Sequence, residues 1–165
     1  MRSTSFLCLC VFFFLSCSGV NSPEPEVNFG ISLRYGILAR NELNTFADTF
    51  TKDLILDGTV MVSFHLPAAD LDSIEAKMEQ INFFSYPDTF RVTSRDSIRC
   101  FIMPYCTYDF KVASRSRVKT LFWEDAIVAN DPQATKLREL IMLIREIVES
   151  KPEYQQLRSA RGGYL

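Results

Sequence analysis

A run of alternating apolar and polar residues constrains the fold of this chain more than any other feature. The apolar positions of the run are Val27, Phe29, Ile31, Leu33 and Tyr35. A period of two over such a length is typical of a β-strand that buries one face and exposes the other. A sheet made of such strands needs a second layer over its apolar face. The chain must therefore supply amphipathic helices elsewhere.

Two segments have the apolar spacing of helices. The first has Pro67 in its first turn, and its apolar face consists of Leu71, Ile74, Met78 and Ile81. The second begins at Asp131-Pro132, an N-cap and first-turn pair, and ends before Pro152. Its apolar face consists of Leu137, Leu140, Ile141, Ile144, Ile147 and Val148. Its solvent face is predicted to hold Arg138, Glu139, Arg145, Glu146 and Glu149.

Two hairpins complete the predicted fold. Asp57-Gly58 is a turn signal between strands at 52–56 and 59–66. Strands at 106–113 and 118–123 flank a second turn, and a strand at 98–103 is expected to end at Pro104. The resulting ββαββα-like order, with one or two extra strands, predicts an α+β fold. We expect a two-layer sandwich, with an antiparallel sheet of four to five strands and two helices on one face, as a single domain over residues 27–165.

Residues 1–16 are predicted to be a signal peptide. Arg2 precedes an uncharged apolar run from Phe6 to Leu15. A helix of about ten residues rises roughly 15 Å, which is about half of the hydrocarbon core of a bilayer. The run is therefore too short to span a membrane and has the length of a signal-peptide core.

The end of this signal resembles the bacterial lipobox, in which a small residue directly precedes a Cys. Here Ser16 precedes Cys17, while Phe14 and Leu15 differ from the usual residues. The resemblance implies diacylglycerol transfer to the Cys17 thiol, cleavage before Cys17 and acylation of the new amine. Residues 17–26 would then be the lipidated Cys and a flexible, polar tether. The alternative is a soluble secreted protein that ordinary signal peptidase cuts nearby.

Lipidation at Cys17 would determine where the chain acts. Two or more acyl chains hold a protein stably on a bilayer. Ser18, rather than Asp, follows the Cys, which by resemblance to enterobacterial sorting favours the outer membrane. We therefore expect an exported domain that is anchored to the cell envelope through its lipid. Its other partner would be an envelope protein or polymer.

Several segments of the remaining chain resemble small uncharacterised bacterial lipoproteins that share a domain of unknown function. These segments are residues 41–46, 49–54, 81–88, 149–154 and 161–165. The resemblance covers most of the chain beyond the signal. It implies a lipid-anchored envelope protein, but it brings no activity, cofactor or catalytic residue.

Two cysteines remain after the signal and Cys17 are set aside. Cys100 and Cys106 lie on either side of Pro104. In an oxidising compartment they can form a disulfide that closes a small loop. Two buried free thiols are the alternative. Their spacing is not that of a Cys-x₂-Cys redox or zinc motif.

Composition narrows the possible functions. The chain has 18 basic and 20 acidic residues and a net charge of −2. It therefore lacks the excess positive charge with which proteins bind a nucleic-acid backbone. His65 is the single histidine, so it cannot share a metal with a second one. Asp48, Asp53 and Asp57 do not have the spacing of an EF-hand. We expect no metal, cofactor or catalytic set, and hence a non-enzymatic binding or interaction domain, with a small exported hydrolase as the alternative.

Two further groups of residues are candidate contact surfaces. Arg115, Arg117 and Lys119 flank a predicted hairpin tip and are candidates for contact with an anionic surface such as lipid headgroups. Six aromatic residues can line a pocket, although packing in the core is the simpler interpretation. They are Phe83, Phe84, Tyr86, Phe90, Tyr105 and Trp123.

Overall fold

The alternating segment forms the central strand of a seven-stranded, mostly antiparallel sheet. The computed structural model describes residues 29–92 and 100–164, and all elements named below lie in these two ranges. The strands are β1 Phe29–Tyr35, β2 Asn41–Asn44, β3 Thr49–Asp53, β4 Thr59–Ser63, β5 Thr89–Phe90, β6 Cys100–Ser114 and β7 Arg117–Val128. Their order in the sheet is β4-β3-β2-β1-β6-β7-β5.

Three α-helices accompany the sheet within the described ranges. They are α1 Ala68–Gln80, α2 Pro132–Glu149 and α3 Pro152–Gln155, and a short 3₁₀ helix spans Phe83–Ser85. The Asp131 carboxylate accepts hydrogen bonds from the backbone N–H groups of Gln133 and Ala134, so the predicted N-cap of α2 is confirmed. Pro67 was predicted in the first turn of α1, but it lies one residue earlier, at the N-cap position before Ala68.

An apolar row across the sheet forms the centre of the core. Cross-strand pairing joins neighbours in this row, one from each of six strands. The row is Val62, Phe50, Leu43, Leu33, Phe110 and Leu121. The apolar faces of α1 and α2 contribute their side chains to the same buried cluster. Burial of these faces supplies the main stabilisation of the fold.

The prediction of an α+β fold with an antiparallel sheet is confirmed, but the predicted number of strands is too small. Residues 41–44 form β2, which the pattern of apolar residues does not predict because Leu43 alone is buried. The two-residue β5 pairs in parallel with β7. Neither strand is long enough to show a period in the sequence, which is why both were missed.

The expectation that a strand ends at Pro104 is wrong. Strand β6 continues through this residue to Ser114. The pairing of β6 with β7 shifts in register between Phe101 and Cys106, so Pro104 lies in an irregular part of the strand. A bulged segment tolerates a residue that lacks a backbone N–H.

Candidate functional site

A cavity of about 340 Å³ opens at the end of β1, and acidic, basic and phenolic side chains line it. Its wall combines residues from the ends of β1, β2, β3 and the middle of β6 with residues of α2, α3 and the chain end. Four tyrosines, two cationic residues and two acidic residues line it. They are Tyr35, Tyr108, Tyr154, Tyr164, Lys52, Arg145, Asp53 and Glu149.

A glycine turn forms part of the lining of this cavity. Gly36 ends β1 with a φ of +93°, a conformation that favours glycine. A Cβ at this position would lie 2.8 Å from Nδ2 of Asn41. Beyond the turn, Ile37 forms a bridge with Cys106, and the Thr107 N–H donates to the Gly36 carbonyl at 2.9 Å. The turn therefore joins β1 to β6 within the lining of the cavity.

One group of polar side chains in the cavity forms hydrogen bonds and an ion pair that connect the elements of its wall. Asn41 donates to the Tyr35 carbonyl at 3.3 Å and accepts from the Asp53 N–H at 3.0 Å. The Asp53 carboxylate accepts from the Ile55 N–H and from the Tyr164 hydroxyl, and Arg40 Nε lies 3.6 Å from it. Asp53 is thus buried but compensated by its neighbours.

A second group faces the cavity with its hydrogen-bonding capacity largely unused. Lys52 Nζ lies 4.3 Å from the ring centroid of Tyr154, a cation–π contact. Arg145 Nη2 donates to Glu149 Oε1 at 3.1 Å, which leaves its other N–H groups available. Within the described residues, the hydroxyls of Tyr35 and Tyr154 have no hydrogen-bond partner.

The tyrosines and Arg145 influence one another electrostatically. Burial, followed by the charge of Tyr154, raises the pKa of Tyr35. Burial is also the main cause of the raised pKa of Tyr108, with Cys106 as the next contributor, and of Tyr154, with Glu149 as the next. The positive charge of Arg145 acts in the opposite direction and favours a lower pKa for all three phenols. At neutral pH each hydroxyl keeps its proton and can donate it to a ligand.

The predicted basic surface is only partly available. Lys119 Nζ lies 2.5 Å from an Asp88 carboxylate oxygen, so its charge is compensated. The Arg117 guanidinium stacks on the Phe84 ring at 4.0 Å. Arg115 lies in the exposed turn between β6 and β7. The three residues do flank the hairpin tip, as expected, but two of them are held by neighbours.

The two cysteines of the folded part are free thiols in this structure. Cys100 is exposed, and Cys106 is half-buried in the wall of the cavity. Of the two alternatives from the sequence, the structure therefore has the reduced form, although Cys100 is not buried. A disulfide between them stays a prediction for oxidising conditions.

The acidic residues and the single histidine lie apart. His65 is exposed, as predicted, and its Nδ1 lies 3.0 Å from an Asp48 carboxylate oxygen. Asp57 forms a bidentate pair with Arg161, whereas Asp53 lies in the cavity wall. Over the ranges 29–92 and 100–164, no three His, Cys, Asp or Glu side chains are placed to hold a metal.

The six candidate aromatic residues mainly pack in the core, in agreement with the simpler interpretation. Phe83, Tyr86, Phe90 and Trp123 are buried, and edge contacts join several of their rings. The cavity uses a different set of tyrosines. They were missed because Tyr35 fits the apolar alternation of β1, while Arg145 and Glu149 fit the solvent face of α2. The one available signal was a tyrosine directly before a turn glycine.

Comparison with known proteins provides no relative: no family model, no curated protein and no solved structure matches the chain. In the part of the chain that the structure describes, no helix is long and apolar enough to cross a membrane. The predicted signal peptide and Cys17 lie outside the described residues.

Proposed function

We propose that this chain is an exported, lipid-anchored binding protein of the bacterial cell envelope, and that the cavity beside Arg145 is its ligand site. In this proposal the domain is a two-layer sandwich, with α1 and α2 over one face of the sheet. Its function is non-enzymatic: it captures a small ligand near the membrane. The cavity is the observation on which the binding function rests.

The sequence supports the anchoring part of the proposal. The apolar run that ends at Ser16-Cys17 has the length of a secretion signal, and a small residue precedes the Cys. A polar, Pro-bearing stretch then leads to β1. Acyl chains on Cys17 would hold the domain close to a bilayer while the tether leaves it free to turn.

The position of the cavity supports the binding part. Strand β1 begins at Phe29, which pairs with Ser114 next to the hairpin tip, and ends at Tyr35 in the cavity. At about 3.3 Å per residue, the two ends of β1 lie roughly 20 Å apart. A tether that joins at Phe29 would therefore leave the cavity at the far end of the domain, open to solutes.

Metabolic labelling tests the anchor. In a bacterial host fed labelled palmitate, the wild-type chain is expected to take up label, whereas Cys17→Ser is not, because the acceptor thiol is gone. Cys100→Ser is the matched control and should be labelled like the wild type, since this exposed thiol is far along the chain from the signal. An unlabelled wild-type chain recovered from the soluble fraction would contradict the proposal.

A further inference from the structure

The hydrogen-bonding capacity left in the cavity is the feature that indicates what it binds. The lining has two cationic and two acidic residues, so net charge alone does not decide the ligand. Asn41 and Asp53 are engaged in holding the wall, as described above. What remains is mostly donors: the Lys52 ammonium, the free N–H groups of Arg145 and the hydroxyls of Tyr35 and Tyr154.

We infer that the cavity binds a small molecule through an oxyanion, either a carboxylate or a phosphate. An oxyanion offers several acceptor lone pairs and no donor. It therefore complements a cavity in which most of the available groups are hydrogen-bond donors. A guanidinium binds such a group with charge-assisted hydrogen bonds that are stronger than neutral ones. The inference rests on the proposed binding function and specifies its ligand class.

Glu149 is the carboxylate that accepts from Arg145 in the cavity, and its role distinguishes the inference from its alternatives. Its Oε1 lies 3.1 Å from Arg145 Nη2, so this carboxylate is already a partner of the guanidinium. An incoming oxyanion competes with this carboxylate for Arg145 and is repelled by it. A cationic ligand would instead use Glu149 as its partner. Replacing Glu149 by Gln therefore has opposite effects on the two kinds of ligand.

Calorimetric titration with four probes on one three-carbon scaffold tests the ligand class. The probes are glycerol 3-phosphate, glycerate, glycerol and 2-amino-1,3-propanediol, titrated into the full-length protein. We expect the phosphate or the carboxylate, or both, to bind at least about tenfold more tightly than glycerol and the amine. The comparison between the two anions tells which oxyanion the site prefers. Raising the salt concentration should weaken their binding.

Variants then place the binding in this cavity. Arg145→Gln is expected to weaken anion binding at least about tenfold, and Glu149→Gln to tighten it. Arg117→Gln, which removes the same charge at the opposite end of β1, is the matched control and should bind like the wild type. Melting temperatures of all variants check that each one is folded.

The outcomes separate the ligand class from the binding function. If glycerol or the amine binds in the cavity as tightly as the anions, or if Glu149→Gln weakens binding of the anions, the oxyanion inference is wrong while a ligand site remains. If none of the four probes binds at millimolar concentration, both the inference and the binding part of the proposed function are overturned. Palmitate labelling of Cys17 decides the anchor independently of either result.

Discussion

Replacing Phe110 by Ala is expected to lower the free energy of unfolding by about 3–5 kcal/mol. Phe110 lies in the middle of β6 and is fully buried, with its ring centroid 5.2 Å from that of Phe83. Its cross-strand neighbours are Leu33 on β1 and Leu121 on β7. Truncation would leave a cavity in the apolar row that joins the two halves of the sheet. Urea unfolding followed by circular dichroism measures the loss.

The matched control lies on the same strand. Phe101 on β6 is 76% exposed, so Phe101→Ala removes an equal volume with little loss of buried surface. Its effect on stability should stay within about 0.5 kcal/mol. Equal losses from the two substitutions would show that the row around Phe110 is not the centre of the core.

The second large effect is expected at an ion pair between the sheet and α2. Arg138 donates to both carboxylate oxygens of Asp125, at 2.9 and 2.6 Å. The guanidinium also lies 5.3 Å from the ring centroid of Trp123. Because Asp125 is buried, Arg138→Ala would leave a carboxylate without its partner. We expect a loss of about 3 kcal/mol, near the lower end of the range for buried pairs because the Arg138 side chain is 34% exposed.

A second bidentate pair has nearly the same geometry but is more exposed. It therefore shows how much of the stability loss depends on burial and not on the number of hydrogen bonds. Arg161 donates to both oxygens of Asp57, at 2.8 and 2.6 Å, but the Arg161 side chain is 73% exposed. Arg161→Ala should therefore cost clearly less than Arg138→Ala, since water can solvate the remaining carboxylate. Thermal unfolding of both variants at the same pH makes the comparison. A larger loss at Arg161 would contradict this account of the pair.

The sequence predicted those parts of the fold that local patterns encode. The alternation along β1, the Asp57-Gly58 turn and the capped apolar face of α2 each correspond to an element of the structure. The helix stop before Pro152 also agrees. In each case the type of element is indicated within one segment, either by an apolar period of 2 or 3.6 residues or by a turn residue. Such signals do not depend on distant contacts.

The parts that the sequence did not predict depend on contacts between distant segments. Arg138 was placed on the solvent face of α2, yet it binds Asp125 on β7, since its long side chain reaches back to the sheet. The cavity was missed for the same reason. Tyr35, Tyr108, Arg145 and Tyr154 come from four different elements and meet only in the folded chain.

The central claim is that a membrane-anchored chain carries an anion-binding cavity, and native mass spectrometry of the full-length gene product tests it most directly. The protein would be extracted from bacterial membranes in mild detergent and measured without ligand, with glycerol 3-phosphate and with glycerate. The account predicts a chain that begins at Cys17, carries acyl mass and binds one molecule of at least one of the two anions, which Arg145→Gln no longer retains. A soluble chain without acyl mass, or one that gains no ligand mass, would contradict it.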